Sequence, residues 1–327
     1  MADSRRSLFF LPAAALAFAL AAGCGSSNNN NGNNPGGGTP GSGNVTQATQ
    51  VANGAQFSSP LDAAPSPDGS QIYFIAVDPN SGVGVFKAPA AGGAATAVST
   101  GTNLGAPLGL VSSVDGSKIY VADPAGQTTN DRGGIFSVPS GGGAATLINE
   151  TADYAPRSVA VGKVGGSENV YFIGDDKTDS TTGIFKDAGG TVTTVLKGSA
   201  AGNPAALAVA ADGTVYVLDS AGKIGKVAPG GTSLTSLGGA SQSLSASFPG
   251  GMDLAQDESA LLVAGTDPAT GKESIARVAI SSGAVTQIAA GLTGSEPGGL
   301  HRAQNADVYG FVDASAGNGT GTVYLLK

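Results

Sequence analysis

A repeating alternation of apolar and polar positions organises this chain. Residues 203–219 show the unit, in which a short apolar strand at residues 206–209 is followed by the turn Asp212-Gly213 and by a second strand at residues 214–218. Alternating β-branched and aromatic residues around an Asp-Gly pair are a strong hairpin signal. The unit therefore predicts an antiparallel pair of strands.

The unit recurs six times from residue 45 onward. Each copy begins with a proline ahead of an apolar strand, and successive prolines lie 45 to 49 residues apart. These prolines are Pro60, Pro107, Pro156, Pro204, Pro249 and Pro297. Two further strands follow behind Gly-rich turns, and four strands per unit at a period in the forties are typical of propeller blades. We predict an all-β chain that forms a six-bladed β-propeller of four-stranded antiparallel blades.

The sixth copy ends at Lys327 after only three strands. Residues 48–54 read like the fourth strand of the fifth copy at residues 285–291, and like residues 145–149 of the second copy. An open sheet edge would invite pairing with other chains. We therefore predict that the N-terminal strand completes the last blade and closes the ring.

Two turn motifs carry a family resemblance. SPDGSQIYF at residues 66–74 and VDGSKIYVAD at residues 114–123 resemble blades of the TolB-like, YVTN and NHL six-bladed propellers. The similarity covers residues 45–327. It implies the fold and leaves function open, because these families include scaffolds, binding modules and a few lyases and lactonases.

Residues 1–23 have the features of a targeting segment. The apolar run at residues 8–22 is too short and too Ala-rich for a stable membrane span, and it ends in LAAGC at residues 20–24. This ending resembles the lipobox of bacterial lipoproteins, although Ala21 stands where the lipobox prefers Leu. The resemblance implies that Cys24, the only cysteine, is lipidated and becomes the first residue of the mature protein. The alternative is an ordinary secretory signal with a chance cysteine.

The segment after Cys24 has no apolar residue able to anchor a core. Residues 25–44 are rich in Asn, Gly and Ser, a composition that predicts a disordered tether with a root-mean-square span of roughly 25 Å. The predicted divisions are residues 1–23 as signal, residues 24–44 as lipidated Cys and tether, and residues 45–327 as propeller. In bacterial lipoproteins an Asp after the cysteine retains many proteins in the inner membrane, and Gly25 stands there instead. The resemblance therefore implies an exported, lipid-anchored protein, at the outer membrane if the cell has two membranes.

The net charge of the chain limits the classes of partner that are expected. The net charge is −8, from 16 Lys and Arg against 24 Asp and Glu, and such a surface repels phosphate backbones, so nucleic acid is not an expected partner. The expected partners are the membrane, through Cys24, and a protein, peptide or wall component.

An aspartate follows the second strand of every copy. These residues are Asp78, Asp123, Asp175, Asp219, Asp267 and Asp313. A ring of carboxylates could supply oxygen ligands to Ca²⁺, but each Asp can equally cap its own loop through an Asx-turn. We predict the second role, with no metal and no cofactor.

The only histidine raises an enzymatic alternative. His301 and Asp253 are each the fourth residue after their proline, where the other copies carry small apolar residues. On adjacent blades they would face each other near the central channel, beside Arg302. A pair of this kind can do general acid–base work, as in a propeller hydrolase or lyase, or it can be a polar contact that lines the channel.

Recognition is expected on one face of the ring. The loops before each proline and after each second strand should emerge together, and loops on a rigid scaffold commonly carry binding. The residues predicted to bind a ligand there are Asp123, Arg132, Arg157, Asp175 and Asp267. We predict a non-enzymatic, lipid-anchored binding or scaffold propeller, with the Asp253–His301 enzyme as the alternative.

Overall fold

Short runs of Val, Ile, Tyr and Phe bounded by Gly and Asp form strands throughout the chain, because such residues fit a pleated, half-buried surface. The structure is a computed structural model that describes residues 41–54, 57–101, 103–237, 244, 250–267, 269–288, 292 and 294–327. The predicted signal segment, Cys24, most of the tether and Pro249 lie outside the described residues.

The described strands form six four-stranded antiparallel sheets, which are the blades of a propeller. Blades 1 to 3 consist of β2 (Ser58–Pro65), β3 (Gln71–Asp78), β4 (Gly82–Pro89) and β5 (Thr96–Thr100); β6 (Gly109–Ser112), β7 (Lys118–Asp123), β8 (Gly134–Pro139) and β9 (Thr146–Leu147); and β10 (Ser158–Val164), β11 (Ser167–Asp175), β12 (Thr182–Asp187) and β13 (Val192–Lys197). Blades 4 to 6 consist of β14 (Pro204–Val209), β15 (Val215–Asp219), β16 (Ile224–Val227) and β17 (Thr235–Ser236); β18 (Gly251–Leu254), β19 (Ala260–Asp267), β20 (Lys272–Ala279) and β21 (Val285–Gln287); and β22 (Pro297–Arg302), β23 (Tyr309–Asp313), β24 (Thr322–Leu326) and β1 (Ala48–Asn53). The predicted fold class is confirmed.

The ring closes as predicted. Strand β1 pairs antiparallel with β24, from Ala48 opposite Leu326 to Asn53 opposite Thr322. Val51 and Ala52 of β1 are buried. The two ends of the propeller therefore share one blade.

The hydrophobic core lies between the blades. Each of the six clusters of buried side chains among the described residues combines residues of two neighbouring blades. Between blades 6 and 1, for example, Phe74 and Phe86 pack with Val312 and Val323. Because every blade contributes to two clusters, loss of one strand exposes apolar surface on a neighbouring blade as well.

The alternating strand directions give the ring two faces. The loop face carries the connections between blades and those between second and third strands, and the turn face carries the tight turns between first and second strands. Gly69 and Gly116 in these turns both have φ of +72°, which an L side chain rarely adopts, so glycine is required there. The short helices are Ala316–Gly319 and the 3-10 turns Asn149–Thr151 and Gly198–Ala200.

Several outer strands are shorter than the sequence predicts. Strands β9 and β17 have two residues each and β21 has three. An outer strand forms backbone hydrogen bonds with one neighbouring strand only, so extending it by a polar residue adds little stability. A short edge strand also offers less surface for pairing with another chain.

Within the described ranges, no helix is long and apolar enough to cross a membrane.

Candidate functional site at the central channel

Asp253 and His301 both lie on innermost strands, as predicted, but they are not the closest pair. Strand β22 has a register irregularity between Pro297 and Leu300, and His301 pairs with Gly310, one residue past the second-strand position that the repeat predicts. The Nδ1 atom of His301 lies 4.0 Å from Oδ2 of Asp253. The expected His–Asp contact across blades 5 and 6 is therefore a long one.

The short contact of His301 is with Asp62 on β2. The Nε2 atom of His301 lies 3.2 Å from Oδ2 of Asp62. His301 is 6 % exposed and Asp62 is 2 % exposed. The contact joins blade 6 to blade 1, so it spans the place where the ring closes.

Asp62 is a site residue that the repeat pattern does not predict. It stands between Leu61 and Ala63 in a strand that is otherwise free of charge. A buried carboxylate is costly unless it is paired. An isolated Asp inside an apolar first strand was therefore a signal for a partner, and His301 is that partner.

The oxygens of both aspartates already accept hydrogen bonds from the backbone. Asp62 accepts from the N–H of Ala63 and of Leu110, both at 2.8 Å. Asp253 accepts from the N–H of Leu254 and of Arg302, both at 2.7 Å. Because Leu110 and Arg302 each belong to the next blade, the two carboxylates connect innermost strands of adjacent blades.

The side chain of Arg302 is also hydrogen-bonded to the backbone, as a donor. Its Nε donates to the carbonyl of Leu254 at 2.8 Å, and Nη1 donates to the carbonyl of Ala303 at 2.6 Å. Longer bonds from Nη1 reach Gln304 and Ala306. The guanidinium is therefore held by backbone carbonyls of blades 5 and 6.

The charge state of His301 follows from these neighbours. Burial acts to lower the pKa of His301, but the carboxylates of Asp62 and Asp253 outweigh it, and the pKa is raised above its ordinary value. The imidazolium form is thus favoured over a wider pH range than for a free histidine. A general base must be neutral and accessible, and both the burial and the raised pKa of His301 make it less suited to that role.

A small cavity reaches these residues from the turn face. It has a volume of about 210 Å³, below the roughly 300–1,000 Å³ of typical ligand pockets. Asp253, His301 and Arg302 contribute to its wall, together with Val111 and Ala160 from the opposite side of the channel. The cavity opens among the turns that carry Lys163 and Glu258, on the face opposite to the predicted recognition loops.

The structure separates the residues that were predicted to bind a ligand. Asp123 is fully buried, and its oxygens accept from the N–H of Gly105 at 2.7 Å, of Ala106 at 3.0 Å and of Ala125 at 2.9 Å. Its carboxylate is therefore directed at its own loops and away from solvent. Asp267 lies on blade 5 and accepts from Ala269 N–H at 2.9 Å.

Arg132, Arg157 and Asp175 lie together on the loop face of blades 2 and 3. Arg157 binds Asp175 in a bidentate pair, with N···O distances of 2.9 and 3.1 Å, and both side chains are about one quarter exposed. Burial acts to raise the pKa of Asp175, but Arg157, Thr182 and Arg132 lower it overall. These three residues form a partly exposed charged patch, which we call the blade 2–3 patch.

The repeated aspartates act mainly on their own loops. Asp78 accepts from two backbone N–H groups two and three residues ahead, and Asp219 accepts from those of Ala221 and Lys223. This is the Asx-turn geometry. In the part of the chain that the structure describes, no three His, Cys, Asp or Glu side chains group closely enough to hold a metal ion.

Comparisons with known proteins place the fold. No family model matches the chain, and no curated protein matches it. Among solved structures, it is similar to a streptogramin B lyase (16 % identity, 86 % of this chain and 87 % of that chain, TM-score 0.52). It is also similar to a TolB-type protein from Agrobacterium tumefaciens (15 % identity, 82 % and 90 %, TM-score 0.53). A third is a gluconolactonase from Xanthomonas campestris (11 % identity, 86 % and 89 %, TM-score 0.57). These likenesses confirm, for the fold, the resemblance to TolB-like and NHL-type six-bladed propellers.

Proposed function

We propose that this chain is a lipid-anchored, non-enzymatic binding or scaffold propeller of the bacterial cell envelope. The observation that carries the proposal is the state of the channel histidine. His301 is buried, its pKa is raised, and the two carboxylates beside it already accept backbone hydrogen bonds. A buried histidine with a raised pKa, beside carboxylates that already accept hydrogen bonds, is better suited to joining blades than to acting as a general base.

Backbone strain supports a recognition role for the loop face. Seven described residues other than glycine have a left-handed φ, and six of them lie on this face. Three of the six, Asp131, Asp153 and Ala155, flank Arg132 and Arg157 in sequence. Strained residues of this kind persist only where the surroundings hold them, and they cluster at functional sites.

The two loops beside the blade 2–3 patch are bonded to each other. The N–H of Ala155 donates to the carbonyl of Arg132 at 2.9 Å, and that of Asp153 donates to the carbonyl of Gly133 at 2.7 Å. The patch is therefore presented on a rigid backbone. Mixed charges on a rigid surface favour selective recognition of a charged protein or peptide segment.

The hydrogen bonds of Gly41 and Gly43 also favour the loop face as the recognition surface. Gly41 donates its N–H to Oε1 of Gln256 at 3.1 Å, and Gly43 donates its N–H to Oδ2 of Asp307 at 2.9 Å. Gln256 and Asp307 belong to first-to-second strand turns of blades 5 and 6. Because the chain joins the propeller at the turn face, the loop face stays free for a partner.

Capture from a solubilised envelope extract tests this proposal. The bait is the purified mature protein, and the variants are Arg132→Ala with Arg157→Ala, and His301→Gln. Lys163→Ala, which removes an exposed positive charge on the turn face, is the matched control. We expect the partner to be retained by the wild type, His301→Gln and Lys163→Ala and lost in the double variant. Retention by the double variant, or loss with Lys163→Ala, would contradict the proposal.

The enzymatic alternative has one observation in its favour. The turn-face cavity is lined by Asp253 and His301, so a small molecule has a route to both side chains. In that case the protein would be a propeller hydrolase or lyase, and His301→Ala would abolish turnover while changes at the blade 2–3 patch would leave it intact.

A further inference from the structure

A groove separates blades 3 and 4 at the outer rim of the turn face. It has a volume of about 380 Å³, within the roughly 300–1,000 Å³ of typical ligand pockets. Apolar side chains of both blades line it, among them Val164, Val215 and Pro229. Among the described residues that line the groove, only Lys186 carries a charge. The groove therefore combines apolar walls with one positive charge.

Tyr171 and Lys186 bring polar groups to this groove. They are opposite each other in the β11–β12 pair, so both side chains lie on the same side of the sheet. Within the described ranges, no hydrogen bond or ion pair engages the hydroxyl of Tyr171 or the ammonium group of Lys186. Tyr171 is 3 % exposed, and buried polar groups are nearly always paired. The groove thus holds a phenol and a cation that both lack an acceptor.

The equivalent place between blades 2 and 3 is filled by a glutamate. Tyr120, at the same repeat position as Tyr171, donates its hydroxyl to Oε1 of Glu168 at 2.5 Å. Glu168 stands three residues before the repeat tyrosine of blade 3, and Gly213 stands at that position on blade 4. Blade 4 therefore supplies no carboxylate to Tyr171. The junction of blades 2 and 3 shows which side chain fits beside a tyrosine at this place.

At two other junctions a glycine turn covers the outer strand of the preceding blade. The N–H of Gly93 donates to the carbonyl of Val51 at 3.3 Å, and that of Gly143 donates to the carbonyl of Val98 at 3.0 Å. These glycines have φ of +149° and +147°, a conformation that L side chains rarely adopt. The bond between blades therefore depends on glycine at this position.

Blade 4 carries Thr232 at the position of these glycines. Val195 on β13 and Val98 on β5 are both the extra residue at a register shift, so their carbonyls correspond. Among the described residues of blade 4, no backbone N–H donates to the carbonyl of Val195. Strand β13 has six residues, and an open strand edge can pair with a further extended chain. The groove therefore runs beside an uncovered edge.

We propose that the groove between blades 3 and 4 binds an extended peptide segment of a partner protein through one glutamate side chain. The carboxylate accepts the hydroxyl of Tyr171, as Glu168 accepts that of Tyr120, and it pairs with Lys186. The backbone of the segment adds to the edge of β13, the mode of β-strand addition. Because the groove lies on the turn face, this site is separate from the blade 2–3 patch.

Two libraries of short immobilised peptides test the site with the purified protein. Both contain random uncharged residues, and the central residue is Glu in one library and Gln in the other. We expect the wild type to bind the Glu library about tenfold more tightly, because a charge-assisted bond to Lys186 requires the carboxylate. Lys186→Met removes the charge and should abolish this preference, and Tyr171→Phe should weaken binding of the Glu library.

Lys226→Met is the matched control. Lys226 is at the same repeat position on blade 4, opposite Tyr216, and lies outside the groove. This variant should bind both libraries as the wild type does. The double variant Arg132→Ala with Arg157→Ala should also keep the preference for Glu, so the outcome here is independent of recognition by the loop face.

Three outcomes would overturn the inference. One is equal binding of the two libraries by the wild type, and another is no binding of either. The third is a preference for Glu that Lys186→Met retains, or that Lys226→Met or the patch double variant loses, because the peptide would then bind elsewhere. Melting temperatures establish that each variant is folded, and Lys186→Met keeps the test decisive if Tyr171→Phe fails to fold.

Discussion

Substitution of Asp62 tests whether the channel network holds the ring together. Asp62→Asn preserves the size of the side chain and one acceptor oxygen but removes the charge beside His301. In the wild type the carboxylate accepts the N–H of Leu110 at 2.8 Å on blade 2 and lies 3.2 Å from Nε2 of His301 on blade 6. One substitution therefore weakens the contacts among three blades.

The magnitude follows from these contacts. A hydrogen bond to a charged group contributes about 1.5–3 kcal/mol, and removing one partner of a buried ion pair costs about 3–5 kcal/mol. The amide of Asn retains one of the two backbone bonds. We expect Asp62→Asn to lower the free energy of unfolding by about 3 kcal/mol near pH 6.

The loss should depend on pH. The folded-state pKa of His301 is raised, so its protonation contributes stability that is fully present below its ordinary pKa and is lost as pH rises through the folded value. The difference between wild type and Asp62→Asn should therefore be larger at pH 6 than at pH 9. Asp253→Asn, at 4.0 Å from His301, should show a smaller pH-dependent part.

Urea unfolding followed by far-UV circular dichroism measures both quantities, because the chain has no Trp. The midpoint and slope give the free energy of unfolding at each pH. A change below about 0.5 kcal/mol, the size of an ordinary surface substitution, would refute the reasoning. So would a difference that grows between pH 6 and pH 9.

Three further predictions concern the ring closure by β1, the buried acids Glu273 and Asp313, and the lipid anchor. Deleting residues 45–54 removes β1 with buried Val51 and should lower the free energy of unfolding by at least about 4 kcal/mol. Deleting residues 25–40 should leave the melting temperature unchanged. Equal melting temperatures for the two deletions would contradict the role of β1 in closing the ring. Glu273 on blade 5 and Asp313 on blade 6 share a side-chain hydrogen bond, and burial together with Asp313 raises the pKa of Glu273 to about 10. Wild-type stability should therefore fall as pH rises from 5 to 9, because the folded state holds a proton that the unfolded state has lost. Glu273→Gln should lack this fall, and a parallel fall in both proteins would remove Glu273 as its cause. Palmitate labelling of cells should be lost in Cys24→Ala, and labelling that persists would exclude the proposed anchor.

The fold was predictable because each blade is specified locally. An apolar strand, a turn with Gly69 or Gly116 at positive φ and a second strand lie within about twenty residues, and the repeat reproduces them. The closure was predictable for the same reason, since residues 48–54 carry the outer-strand pattern of other copies. Turn chemistry and strand periodicity act over short distances, so the sequence displays them directly.

The contacts that define the sites were not predictable, because they join distant residues after the ring closes. Asp62 and His301 are 239 positions apart, and they meet only because blade 6 packs against blade 1. The register irregularity in β22 is likewise not visible in the repeat pattern. Asp123 has the same sequence pattern as the half-buried Asp78, yet the loop of residues 105–106 folds over it. The pairing of Glu273 with Asp313 likewise depends on how blade 5 packs on blade 6.

The most direct test of the account is a turnover screen of the purified wild-type protein and His301→Ala against lactone, ester and phosphoester substrates. If His301 is a structural group between Asp62 and Asp253, the wild type should give no turnover above the buffer rate with any substrate class. His301→Ala should then differ from the wild type in stability alone. Turnover by the wild type that is lost in His301→Ala, at a temperature where the variant is folded, would contradict the proposal that this propeller binds without catalysis.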